Sequence, residues 1–257
     1  MSGFADVTII VPAKNEAATI AGVVTCCRQF AHEVIVVDGH SVDDTAALAA
    51  AAGARVILDG GRGKGDAIRV GITEVGTDIT VMIDADGSHD PSDVVHLIAP
   101  IRAGQSDHVG ASRLLGGSSE LHGGFDEFFR LAGSAFITAS VNWRFGVRLS
   151  DSQNGFRAVR TSVLRQLALR ENSTTIEQEI VIKTLAAGFR MAEVPSHEYP
   201  RLFGESHIRL SRVWPAYVLC LVRNLLWVRR SGIAKRTRRL STQIAAVSAP
   251  DAPQTLR

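Results

Sequence analysis

Cysteine is scarce in this chain, with three in 257 residues. Cys26 and Cys27 are neighbours and Cys220 lies far away, so neither a disulfide framework nor a four-ligand metal site can be built from them. A reducing compartment is expected. A basic leader is also lacking: the opening MSGFADVTIIVP has no positive flank and only a short apolar run, which reads as a first strand and implies a cytoplasmic address. Long hydrophobic runs are missing too. The apolar, charge-free stretch of the C-terminal helix pattern spans Val213 to Val222 before Arg223 interrupts it, well short of the roughly 20 residues that a membrane span needs.

What is present is a full-sized core, since 46% of residues are hydrophobic and 21% charged, which excludes a disordered or collagen-like chain. The net charge of +2 conceals an asymmetry. Residues 1–208 hold 18 Lys and Arg against 25 Asp and Glu, whereas residues 209–257 hold 10 against the single Asp251. An acidic body carrying a basic arm points to an anionic partner for the arm.

Short apolar runs alternate with alanine-rich helical stretches: VTIIVP, a helix from about Glu16, VIVVD, a helix from about Val42, RVIL, a helix from about Lys64, and ITVMIDAD. That alternation predicts an α/β fold with a mostly parallel sheet and crossover helices. Runs that are apolar throughout require helices on both faces of the sheet. Further helices are expected from Pro91 to about Arg102, over roughly 125–145 and over 176–187, with strands at DHVGASR and FRMAEVP. The glycine- and serine-rich LLGGSSELHGG reads as a mobile loop. The expected organisation is one domain over 1–208, with a nucleotide-binding half at 1–112 and an acceptor half at 113–208. A basic amphipathic helical arm at 209–240 and a disordered tail at 241–257 complete it.

Several strands end in polar residues, where ligands bind in open α/β sheets. Asp84-Ala85-Asp86 places two carboxylates at i and i+2, and Gly87 allows the chain to turn so that both could meet one hard cation, magnesium or manganese. Such an ion would neutralise a departing nucleoside diphosphate; the plainer alternative is a solvated turn with Asp90 or Ser92 capping the next helix. Asp38, closing VIVVD, is placed to accept hydrogen bonds from a ribose or a base edge. GGRGKG, residues 60–65, could hold phosphate through backbone N–H groups with Lys64 adding charge, although Gly65 stands where a Walker loop needs Ser or Thr.

In this order the motifs resemble the nucleotide-binding half of glycosyltransferase family 2. The P-x-x-N-E pattern appears as Pro12 to Glu16, the S-x-D-x-T turn as Ser41 to Thr45, and Asp38 is followed by Gly39 where many members carry a second aspartate. The later DSQNGFR (Asp151 to Arg157), the acidic Glu177-Gln178-Glu179 and RLFGESH (Arg201 to His207) are similar to segments of polyprenyl-phosphate sugar transferases of the dolichol-phosphate mannose synthase type, with His207 in place of a lysine. The resemblance spans about residues 7–210. It implies a GT-A fold and a nucleotide diphosphate sugar, UDP or GDP based, lying against Pro12, Asn15, Glu16, Asp38, Lys64, Asp84, Ala85, Asp86, Arg201 and His207. It also implies a metal held by Asp84 and Asp86, with Ser88 standing where a ligating glutamine often lies and His89 or water as substitutes.

A phosphate acceptor already carries charge and needs cations to hold it, whereas a hydroxyl acceptor needs a general base. By resemblance Arg113, Arg130 and Ser134 would hold a lipid phosphate as Asp86 and its metal hold the donor. The carboxylates available as a base are Asp126, Glu127, Asp151, Glu177 and Glu179. The Q-x-x-R-W signature of processive synthases is absent from the sequence. The arm combines Trp214, Tyr217 and Trp227 with leucines and a cluster ending at Arg239, which suits an anionic membrane surface; packing on the body or in a homodimer fits the same pattern, and no nucleic-acid recognition module surrounds it. The expectation is therefore a metal-dependent inverting hexosyltransferase, peripheral on the cytosolic membrane face, that uses a polyprenyl phosphate. The rivals are transfer to a soluble hydroxyl and a non-catalytic nucleotide-sugar binding protein docked by its basic arm.

Overall fold

The computed structural model describes residues 3–118, 125–200 and 210–230. Four strands, β1 (Val7–Ala13), β2 (Glu33–Asp38), β3 (Arg55–Leu58) and β4 (Ile79–Met82), alternate with helices α1 (Ile20–Cys27), α2 (Thr45–Ala51) and α3 (Lys64–Glu74). Each helix carries the chain back over the sheet, so these strands pair in parallel. After α4 (Val94–Arg102) come β5 (His108–Ser112), α5 (Arg113–Gly116), α6 (Phe125–Phe145), β6 (Arg157–Arg160), α7 (Thr161–Gln166), α8 (Ile176–Ala186), β7 (Met191–Pro195) and α9 (Leu210–Arg230). The seven strands form one sheet in the order β3-β2-β1-β4-β6-β5-β7, with β6 antiparallel to both of its neighbours.

Alternation along β1 shows why its run is apolar throughout. Val7, Ile9 and Val11 face a core with α1 and α4, while Ile10 joins Ile35, Val37, Ile68 and Ile180 on the opposite side. Both faces are thus covered, as a mostly parallel sheet requires. A third apolar cluster gathers Ile137 and Val141 of α6, Val181 and Leu185 of α8, and Leu221 of α9.

The structure departs from the sequence reading at several boundaries. The first two helices begin at Ile20 and Thr45, later than expected, because the segments before them form polar turns that bond to each other. β4 stops at Met82, ahead of the aspartates. The DSQNGFRAVR stretch, read without a strand, supplies β6. The expected mobile loop opens instead with α5, capped by Ser112 Oγ accepting from Leu115 N at 3.2 Å; residues 119–124 lie outside the described residues, as does the tail at 241–257.

α9 is not a free arm. Tyr217, Cys220, Leu221 and Asn224 fall on one helical face; the last three are buried. The Tyr217 hydroxyl donates to Thr174 Oγ1 at 2.8 Å, Gln178 Nε2 donates to Tyr217 O at 3.3 Å, and Arg223 pairs with Glu171. The other face leaves Leu219, Val222 and Leu226 exposed. Among the described residues, no helix is long and apolar enough to cross a membrane.

Candidate active site

The carboxyl ends of β1 and β2 carry two motifs that interlock. Asn15 N donates to Ser41 Oγ at 2.9 Å while Asn15 Oδ1 accepts from Val42 N at 2.9 Å, and Glu16 N donates to Thr45 Oγ1 at 2.8 Å. Asn15 has φ of 56°, a left-handed conformation that asparagine tolerates better than most residues. Pro12 lies within β1, opposite Val37 of β2. These stitches hold the strand ends together and leave Asp38 beside them: its Oδ2 accepts from Ser41 N at 3.1 Å, while its buried Oδ1 has no hydrogen-bond partner. An orphaned buried acceptor is an opening for a ligand donor.

Part of the glycine-rich loop's backbone is bonded within the protein. Gly60 N donates to Asp66 Oδ2, Gly61 N to Asp59 Oδ1 and Gly65 N to Asn172 O, at 2.8, 2.7 and 2.9 Å, so these three N–H groups already have partners. The glycines also serve close approach: a Cβ on Gly65 would come within 2.4 Å of Glu171 O. Lys64 also has protein partners, since its Nζ sits 2.6 Å from Asp84 Oδ1 and 2.5 Å from Glu177 Oε1.

Beyond β4 the chain carries Asp84, Asp86 and His89 in close succession. Ala85 is buried in the core, and Gly87, with φ of 75°, makes the turn that only glycine adopts without strain. Asp86 is 5% exposed, and its Oδ1 accepts from Ser88 N and Ser88 Oγ at 3.1 and 2.7 Å. Ser88 therefore braces Asp86 through its hydroxyl. His89 packs on Phe156, its Nδ1 is buried without a hydrogen-bond partner, and Asp84, Asp86, Glu198 and Arg113 surround it. Burial depresses its pKa more than those carboxylates raise it.

The donor set fits magnesium or manganese: two oxygen ligands close together on a turn leave most of the coordination shell to phosphate and water, as these ions prefer. Among the described residues no group of three His, Cys, Asp or Glu side chains is gathered as a ready cage, so phosphate and water would have to complete the shell of a bound ion.

Arg113 opens α5 directly after β5. Its Nε and Nη2 donate to the two oxygens of Asp151 at 2.6 and 3.0 Å, and its Nη1 donates to Glu198 Oε1 at 3.4 Å. Burial alone would raise the Asp151 pKa, but the guanidinium beside it holds the carboxyl below the usual range. Ser118 Oγ donates to Glu198 Oε2 at 2.9 Å, and Glu198 pairs through its backbone with both His89 and Ser118, tying the aspartate turn to Arg113. Glu198 carried no sequence signal, because its role depends on contacts far away in the chain. Ser134 is half-buried on α6, one turn before Thr138, whose Oγ1 lies 2.8 Å from Ser152 Oγ. Arg130 falls where only the backbone of α6 is described, and Arg201 and His207 lie outside the described residues.

The sequence model of glycosyl transferase family 2 matches residues 8–171. The glycosyltransferase AglJ of Haloferax volcanii is 31% identical over 198 residues, which cover 76% of this chain and 63% of that one. An undecaprenyl-phosphate 4-deoxy-4-formamido-L-arabinose transferase of Sodalis glossinidius is 29% identical over 221 residues, covering 80% of this chain and 64% of its own. The chain thus spans less than two thirds of the length of these two relatives. Among solved structures, Mycobacterium tuberculosis glucosyl-3-phosphoglycerate synthase in complex with Mg2+ and UDP superposes with a TM-score of 0.68 at 22% identity, covering 87% of this chain and 80% of that one, a likeness of fold. With that fold, the aspartate turn and a family match over most of the sheet, the chain belongs to glycosyl transferase family 2.

Proposed function

We propose that this glycosyltransferase moves a hexose from a nucleotide diphosphate sugar to a polyprenyl phosphate with inversion at the anomeric carbon. One observation carries the choice of acceptor: the described carboxylates that might have served as a base are already committed. Asp151 is held by Arg113, Glu177 by Lys64, and Glu179 by Lys183 at 2.8 Å and by the backbone N–H groups of Arg170 and Glu171. An ionised carboxylate paired with a cation is a poor proton acceptor, which disfavours a hydroxyl acceptor. A phosphate needs no such base. The relationship to an undecaprenyl-phosphate transferase points the same way.

In this reading Asp38 accepts from the ribose or base, and Asp84 and Asp86 hold a divalent cation. That cation, when bound, supplies charge neutralisation on the diphosphate as it leaves. Arg113 uses three of its five N–H groups on Asp151 and Glu198, which leaves two for a phosphate oxygen. Arg130 and Ser134 would complete that grip, and Arg201 and His207 would close on the donor. The exposed apolar face of α9 and the basic residues after it would rest on an anionic membrane surface, placing the lipid headgroup within reach. Supplying UDP- and GDP-hexoses with Mn2+ tests this, using polyprenyl phosphate, polyprenol and 3-phosphoglycerate as competing acceptors. A lipid-linked sugar phosphate is the expected product; transfer to polyprenol or to 3-phosphoglycerate at an equal rate overturns the assignment.

A further inference from the structure

Asp84 is claimed twice. It is one of the two carboxylates assigned to the cation, and it is also bonded to the Lys64 ammonium at 2.6 Å. Two cations on one carboxylate repel each other, so Lys64 must yield when a divalent ion arrives. The structure provides it a second partner: Glu177 Oε1 stands 2.5 Å from the same ammonium. All three groups meet over Gly155, where a Cβ would lie 3.0 Å from Glu177 Oε1, 3.1 Å from Lys64 Nζ and 3.2 Å from Asp84 Oδ2. Any side chain there would crowd the cluster.

The anchoring is uneven, and that decides which group moves. Glu177 is fixed on α8 and 92% buried as a side chain, with its carbonyl accepting from Arg157 Nη1 at 3.1 Å. The backbone of the Lys64 segment is clamped through Gly65 N to Asn172 O. Only the four-carbon stem of Lys64 remains adjustable, and its side chain is 21% exposed. From this geometry we infer that Lys64 is the resting counter-ion of the aspartate turn and that Glu177 is a positioning residue which retains Lys64 while Asp84 turns to the divalent cation. Lys64 then stands beside the incoming diphosphate with its charge oriented rather than dispersed. Glu177 acts through Lys64 and touches neither substrate nor metal.

This rests on the reading of Asp84 and Asp86 as cation ligands, and the test separates the two. Free Mn2+ is titrated by electron paramagnetic resonance against wild type, Glu177→Gln and Lys64→Met, with and without UDP, alongside melting temperatures. Glu177→Gln leaves Lys64 with Asp84 alone, so Mn2+ affinity should fall about tenfold. Lys64→Met removes the competing cation and leaves Asp84 and Glu177 adjacent, so Mn2+ alone should bind about tenfold tighter while the gain from added UDP shrinks. Opposite signs are the signature, because a loss of packing would weaken both variants. Affinities within twofold of wild type in both, or weakened in both, overturn the inference and leave the cation reading standing. Wild type that binds no Mn2+ with or without UDP overturns both.

Discussion

The two halves of the sheet are held together by different chemistry. At the carboxyl ends of β1 and β2 the loops are joined by short side chains bonding backbone groups, Asn15 to Ser41 and Val42, and Glu16 to Thr45. Around β5 and β7 the work is done by buried charge: Arg113 with Asp151 and Glu198, and Lys183 with Glu179. Neutral hydrogen bonds contribute modestly and are lost modestly. Buried pairs add little net stability but are severe to break, because the survivor is left charged and unpaired. The β1–β2 end should therefore tolerate single changes to its stitching, whereas the surroundings of β5 and β7 should fail abruptly.

The sharpest way to strain that comparison acts on chemistry. Asp86→Asn should lower transfer, read as kcat/KM with saturating Mn2+, by at least about 100-fold while the melting temperature stays close to wild type. On stability the β5 region comes first: Arg113→Ala strands Asp151 and should destabilise by about 3–5 kcal/mol in urea titration. Arg113→Lys retains the charge and is the better probe of acceptor binding. At the carboxyl end of β1, Asn15→Ala removes the side-chain bond from Val42 N and places alanine at positive φ, for a loss of about 1–2 kcal/mol. Equal losses for Arg113→Ala and Asn15→Ala would erase the contrast.

The smallest effect concerns pH. His108 is fully buried on β5, and burial, reinforced by Arg157, pushes its pKa well below 6.5. Below about pH 6.5 the unfolded chain takes up a proton that the folded chain refuses, so stability is complete above that pH and declines as pH falls. The decline should reach about 1 kcal/mol between pH 6.5 and 5.5, and His89, depressed by burial as well, adds in the same direction. Denaturant midpoints of wild type and His108→Gln, compared across that range, should converge towards acid; a constant gap between them contradicts the assignment.

The same contrast explains what the sequence made legible. The motifs at the ends of β1 and β2 could be read because their partners lie within the motifs or in the next loop, and strand-end residues advertise themselves by following an apolar run. Asp151 bonds a residue 38 positions away and Glu198 one 85 positions away; no local pattern encodes such a pairing. β6 was missed for a related reason. Its four residues begin and end with arginine, which reads as polar surface until Arg157 is found buried, donating to Glu177 O and Asn154 O. The glycine loop reads as a cradle because glycine signals close approach of some backbone, and at Gly63 and Gly65 the backbone that approaches is that of residues 171–172.

The reversed strand β6 also orders events in time. β4 and β5 are not paired with each other; each is paired to β6, which lies 75 or more residues after β4 begins and some 45 after β5 closes. Until residue 160 has left the ribosome, β5 lacks its bridge to the rest of the sheet and β7 lacks β5 as a settled template. The half of the sheet bearing Arg113 should accordingly assemble late and cooperatively, after a folded β3-β2-β1-β4 unit, because distant pairings must close long loops before they gain contacts.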